Sequence, residues 1–439
     1  MCYPTARELA LTARALVDEH PDLARLRQVG TSRGGRPLWL LSAGGREPGG
    51  REVLVVAGAH ANEPVGGPTA LALARRVVRE PALREHGGWH FLLCADPDGA
   101  ALHRTPRPYT LLDYHRNFFR PPGPEQPEWA PALLAPDRLP PETVALTGLI
   151  DELRPLLQLS LHGTDLGGSW VQLTRDIPGL AEPFGKSAAE LRIPVETSAS
   201  DAAGWPSPGP GIFVMPDPDG ADATSTSTST NESGVTAGAV GRAEDADTAE
   251  DARLSTWYHA HRYAGTTAIL EVPMWAGDLV DDPAPHPDPR GALKALARRL
   301  AEDAQRVADV LERTRPDLPA DGESALLRAV DWTLALIPRV TEAWSASAPP
   351  EATAAYIGSI DAFARRLALR AAAMLLRELR AAGHPAGPAL DRLVAGWCEA
   401  FAARFQARWV PVTTQVEHQS RTAVAAYRKL LARDFGGRT

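Results

Sequence analysis

Four short apolar runs punctuate the first 270 positions, at 53–59, 90–95, 156–161 and 266–270. Each is too short for a helix and is followed by turn or helix signals, the pattern of buried parallel strands. Between the first two lies 65–79, an apolar-periodic helix opened by Asn62, Glu63 and Pro64. Strand, helix, strand in this rhythm predicts an α/β fold with a doubly wound, mixed or parallel sheet. Upstream, 6–28 carries Leu9, Leu11, Leu16 and Leu23 at helical spacing, interrupted at Pro21, and a strand pair is expected around Gly35-Arg36-Pro37. After Pro289 the period becomes helical throughout, with helices expected at 291–313, 322–346, 351–382, 387–409 and 411–434. Leu390, Leu393, Val394, Trp397, Phe401 and Phe405 form an apolar stripe in the fourth, which reads as bundle core.

These patterns divide the chain into a catalytic region, 1–315, and an added all-α region, 320–439. Within the catalytic region, residues 218–252 stand apart: Ser-Thr repeats followed by an Asp/Glu/Ala run offer nothing to bury and read as a disordered surface insertion.

Composition narrows the function. Across 439 residues the formal net charge is −8, a poor match to nucleic acid, which demands clustered basic residues. No apolar run approaches the length of a membrane span. Cys2, Cys94 and Cys398 form neither a disulfide framework nor a ligand pair, so a cytoplasmic location is expected.

Ligands of open α/β sheets sit outside the carboxyl ends of the strands. The first apolar run ends in His60-Ala-Asn-Glu63, the third in His162 and the fourth in Glu271. Two imidazoles and two carboxylates are thus delivered to one sheet edge. Two His and one Glu with a position left open are a usual catalytic zinc shell, so one zinc per chain is expected on His60, Glu63 and His162. A nearby carboxylate, Glu271, then serves as general base. Taken alone, His-x-x-Glu is more often the chemistry of a helix start, with Glu63 near the N-terminal dipole, and it is the other strand ends that turn the reading to metal.

At this point the sequence resembles the zinc carboxypeptidases typified by carboxypeptidase A, over roughly residues 5–313. The matching stretches are Gly30-Thr-Ser-Arg-Gly-Gly-Arg-Pro37, Gly58-Ala-His-Ala-Asn-Glu-Pro64, Asp96-Pro-Asp-Gly99, His115-Arg-Asn-Phe118, Ser160-Leu-His162 and Ala268-Ile-Leu-Glu271. The resemblance implies hydrolysis of a peptide or amide bond, chiefly removal of C-terminal residues. By position it places the substrate's carboxylate on Arg116, with His115 and Asn117 beside it, and carbonyl polarisation on Arg104, with Arg107 its neighbour and rival. His115 stands where the family has Asn. The substrate-capping tyrosine falls to Tyr258 or Tyr263. Asp165 either orients a ligand imidazole or caps a turn.

Other readings share the zinc shell: an N-acyl-amino-acid deacylase similar to aspartoacylase and succinylglutamate desuccinylase, or an amidase of cell-wall peptides. A non-enzymatic zinc-binding scaffold is a third, though it would not need Glu271 or the arginines. A peptide or acyl-amino-acid substrate is therefore expected, without nucleic acid or membrane. The C-terminal helices could cover the cleft, join two copies or bind a protein partner. Gln415, His418 and Arg421 share one face of the last helix, read either as a polar exposed face or as a reach back to the cleft.

Overall fold

The computed structural model describes residues 3–44, 51–103, 110–202, 204–215, 252–320, 322–346 and 352–436. Arg104 and Arg107 lie outside the described residues, as does the 218–252 insertion up to 251.

The fold is mixed α/β around a nine-stranded sheet. In chain order the strands are β1 (Ala24–Thr31), β2 (Pro37–Ala43), β3 (Val53–Ala57), β4 (Trp89–Leu92), β5 (Leu157–Gly167), β6 (Trp170–Leu173), β7 (Ile212–Val214), β8 (Thr266–Ala276) and β9 (Arg408–Trp409). Their spatial order is β1-β2-β4-β3-β5-β8-β6-β7, with β9 paired to β8. The central pairs β4/β3, β3/β5 and β5/β8 are parallel; β1/β2, β2/β4 and β6/β8 are antiparallel.

The first helix, Ala6–Glu19, starts on a reciprocal cap in which Thr5 Oγ1 accepts from Glu8 N and the Glu8 carboxylate accepts from Thr5 N. It ends before Pro21, and 24–31 becomes strand β1, so the helical spacing read over 6–28 breaks at the proline. Together with helix Gly66–Arg79 it covers one face of the sheet through Leu9, Leu16, Leu73 and Val77 against Val53, Val55 and Leu159. Helix Pro141–Leu153 covers the opposite face with Leu146, Leu149 and Ile150 over Leu54 and Val56.

β5 and β8 are the long strands, with eleven residues each, and the register sets His162 against Glu271. The expectation that both residues close their strands is corrected here. The strands run on to Gly167 and Ala276, well past the end of β3 at Ala57, leaving a two-stranded ledge beside the His60 turn.

Downstream, the helices are Pro289–Thr314, Ala325–Ala346, Ala354–Ala381, Gly387–Arg404 and Val412–Gly436. The apolar stripe of the fourth is packed as expected, with Leu390, Val394, Phe401 and Phe405 buried. The region is not purely helical, because Arg408–Trp409 pairs with Ala276 and Trp275. The last helix joins the sheet face itself, placing Ala423, Tyr427 and Leu430 in the same cluster as Leu159. Among the described residues, no helix is long and apolar enough to cross a membrane.

Candidate metal centre

The turn after β3 is short: Glu63 N donates to His60 O at 3.1 Å, which sends both side chains towards β5. Glu63 Oε1 lies 3.0 Å from His60 Nδ1, Glu63 Oε2 2.8 Å from His162 Nδ1, and the two Nδ1 atoms 3.0 Å apart. All three side chains are buried. Gly163 N also donates to Glu63 Oε2 at 3.3 Å.

His162 is aimed by a carboxylate that nothing in the sequence pattern signalled. Glu128, fully buried, takes His162 Nε2 at 3.0 Å on one oxygen and the Ser160 hydroxyl at 2.6 Å on the other. This leaves Nδ1 facing His60 and Glu63. A ligating imidazole ordinarily has its remote nitrogen held in this way.

The charges reflect crowding. Burial, and then the negative charge of Glu63, push Glu271 up to about 8. Burial and the Arg120 guanidinium lower His60 to about 4. Burial opposes ionisation of His162 and Glu63 too, but Glu128 and Glu63 hold His162 well above its ordinary value, and the two imidazoles hold Glu63 well below. Carboxylates and imidazoles are thus compressed into one buried space where a divalent cation would relieve the repulsion. Two overlapping groups bring possible ligand atoms within 4.8 Å of one another: His60, Glu128 and His162, and Glu63, His162 and Glu271. With Glu128 committed behind His162, the donor set His60, Glu63 and His162 fits zinc, with Glu271 alongside.

The surrounding pocket has a cavity of about 140 Å3. Arg120 reaches into it, with Nη2 3.0 Å from His60 Nε2 and Nη1 3.2 Å from Glu63 Oε1. Trp129, Trp170 and Trp257 wall it on the sheet side. The other wall comes from the C-terminal helices: Trp332 and Leu336, then Phe363, Arg366, Leu367 and Arg370. Those helices therefore roof the site. Arg366 and Arg370 share one buried carboxylate, Asp165, at 2.8 and 3.2 Å. Asp165 neither orients a ligand imidazole nor serves only a turn; it is the counter-ion of the roof.

The remaining expected substrate residues are set elsewhere. Arg116 forms a two-pronged pair with Asp391 of helix Gly387–Arg404, both bonds 2.9 Å, and does not line the pocket. Asn117 Nδ2 donates to Asp113 O within its own helix end. His115 is fully buried, bonded at Nδ1 to Leu111 O and held near 4 by burial. Tyr258 stacks obliquely on His261, and it is the neighbouring Trp257 that faces the pocket. Tyr263 donates to Asp151 on the exposed surface. The cause is common to the first three: the segment 111–116 is a helix whose inner face meets the C-terminal helices. The arginine that reaches the centre is Arg120, four residues further on, where the chain has left that helix.

Residues 11–166 match the family model described as zinc carboxypeptidase. Among solved structures, similarity extends to a metallo-carboxypeptidase from Burkholderia cenocepacia, at 19% identity over 62% of this chain and 60% of that one, with a TM-score of 0.35. It extends also to bovine thrombin-activatable fibrinolysis inhibitor in complex with tick carboxypeptidase inhibitor, at 15% identity over 43% and 71% of the two chains, with a TM-score of 0.28. The search of curated proteins returned no match. The segment that bears His60, Glu63 and His162 thus lies within the match to the zinc carboxypeptidase model, residues 11–166.

Proposed function

We propose that the chain hydrolyses a peptide or amide bond with zinc, removing residues from the C-terminal end of a peptide. The observation that carries this reading is the convergence of His60, Glu63 and His162 to within 3.0 Å, with Glu271 in register opposite His162.

His60, Glu63 and His162 would hold the zinc, which when bound would supply a Lewis acid for the scissile carbonyl and a water made acidic near neutral pH. Glu271 then accepts a proton from the attacking water while hydroxide oxygen bonds to the carbonyl carbon. When the carbon–nitrogen bond breaks, the same carboxyl gives its proton to the departing amine. Negative charge grows on the carbonyl oxygen during attack, and Arg120 is the cation at that place.

A C-terminal substrate also presents a carboxylate. Arg366 and Arg370 share Asp165 as their anion and line the pocket roof, so they take the role expected of Arg116.

The test is zinc content and hydrolysis measured together, for the wild type and His162→Ala, on peptides with free or amidated C-termini and on N-acyl amino acids. About one zinc per chain, lost in the variant, with cleavage of free-ended peptides is the expected result. A wild type without zinc, or with zinc and no cleavage of any member, overturns the reading.

A further inference from the structure

Gln415, His418 and Gln419 of the last helix are buried, whereas Arg421 lies outside with Glu417 and Glu190. The shared face read from the sequence therefore splits: Gln415 turns in to Val410 O and Tyr3, His418 to Ser169 and Ser187, and the adjacent Gln419 reaches the backbone of the two long strands.

Gln419 Nε2 donates to His162 O at 2.5 Å and to Leu270 O at 2.9 Å, and Thr69 Oγ1 donates to Gln419 Oε1 at 2.8 Å. The orientation of the amide follows from its partners: carbonyls only accept, so the NH2 group must face them, and the hydroxyl then meets the oxygen. No other neutral side chain except Asn offers two donors and an acceptor on one planar group. One residue earlier, the Ser187 hydroxyl donates to His418 Nδ1 and His418 Nε2 donates to Ser169 Oγ, each at 2.9 Å. Ser169 Oγ in turn donates to Glu271 O at 2.6 Å.

The peptide planes on both sides of Glu271 are thus held, at Leu270 O by Gln419 and at Glu271 O through His418 and Ser169. The peptide plane following His162 is held by the same amide as Leu270. We infer that Gln419 is a positioning residue which, with His418 beside it, sets the spacing of His162 and Glu271 from the last helix. The role in turnover rests on the hydrolase reading above; the clamp itself does not. An error near 1 Å in such spacing costs about a hundredfold in rate.

The experiment compares Gln419→Met, which keeps length and apolar volume but loses both donors, with Thr69→Val, which removes only the hydroxyl behind the amide. Backbone hydrogen exchange is followed on the metal-free chains, then kcat, KM and cobalt absorption on the metal-loaded ones. Exchange should rise about tenfold in peptides spanning 160–166 and 268–274, and not elsewhere, as expected for one lost hydrogen bond. kcat should fall about 10- to 100-fold with KM within about twofold, and the cobalt spectrum should shift. Unchanged exchange in both variants overturns the inference whether or not zinc binds. Equal loss in kcat and gain in KM with an unshifted spectrum overturns it as well. A local rise in exchange in a chain that binds no zinc sinks the hydrolase reading and leaves the clamp standing. If Gln419→Met fails to fold, Thr69→Val decides by the same readouts.

Discussion

Glu128 Oε2 lies 3.0 Å from His162 Nε2, and neither side chain is open to solvent. A carboxylate in that position fixes both the ring angle and the nitrogen left for a metal. Replacing it with Gln keeps the size but turns a firm acceptor into a group that can rotate its NH2 towards the ring. Glu128→Gln is expected to weaken zinc binding about 10- to 100-fold, as measured by competition with a chelating dye. An unchanged affinity would mean that His162 is held well enough by Ser160 alone.

Glu271→Gln separates binding from proton transfer. Zinc content should stay at the wild-type level while kcat falls by about two to four orders of magnitude. Near-normal turnover, or loss of the metal, would remove Glu271 from the role of base.

The arginines give opposite expectations. Arg116→Ala breaks a half-exposed pair with Asp391, so it should cost about 1 kcal/mol or less and leave KM alone. Arg366→Gln should raise KM for peptides with a free carboxylate by about tenfold or more, with amidated peptides little changed. The pair of KM values on the two substrates is the measurement. A large effect of Arg116→Ala on free-ended peptides alone would return the carboxylate to Arg116.

Asp96 bears on stability, not turnover. Its Oδ1 caps the following helix through Gly99 N, but its buried Oδ2 has no hydrogen-bond partner, and burial pushes the carboxyl up to about 7. Between the unfolded value near 3.8 and 7, the unfolded chain ionises while the folded chain stays protonated. The unfolded state then binds fewer protons, so stability falls as pH rises through that window, by roughly 4 kcal/mol for the full shift. Asp96→Asn keeps the cap acceptor and should flatten that slope in urea titrations from pH 4 to 8. A slope identical to wild type would place the pH dependence elsewhere.

That His60, Glu63, His162 and Glu271 meet was legible because they follow short, mainly apolar runs, and such runs in an α/β rhythm align in a parallel sheet. The lengths of β5 and β8 were not, since Gly163, Asp165 and Pro273 read as turn signals although all three lie within strands. Arg120 and Glu128 sit in a Pro-rich stretch, 120–131, where no period exists to say which side chains turn inward. The helix carrying Arg116 was hidden for a related reason, because at six residues it is too short to show a period. Gln419 illustrates a different blindness. In a helix rich in polar residues, a buried glutamine has the same signature as an exposed one, and only its carbonyl partners distinguish them.

The bond between Gln419 and His162 spans 257 positions of sequence. Closing so large a loop is slow and entropically costly, so it comes after the local strands and helices have formed. On the ribosome, His60, Glu63, His162 and Glu271 all emerge long before the residue that holds their strands at the right separation. The growing chain therefore carries all four of these residues through synthesis with an unfinished geometry, and on the proposed reading the site reaches its working form only once the helix bearing Gln419 has docked.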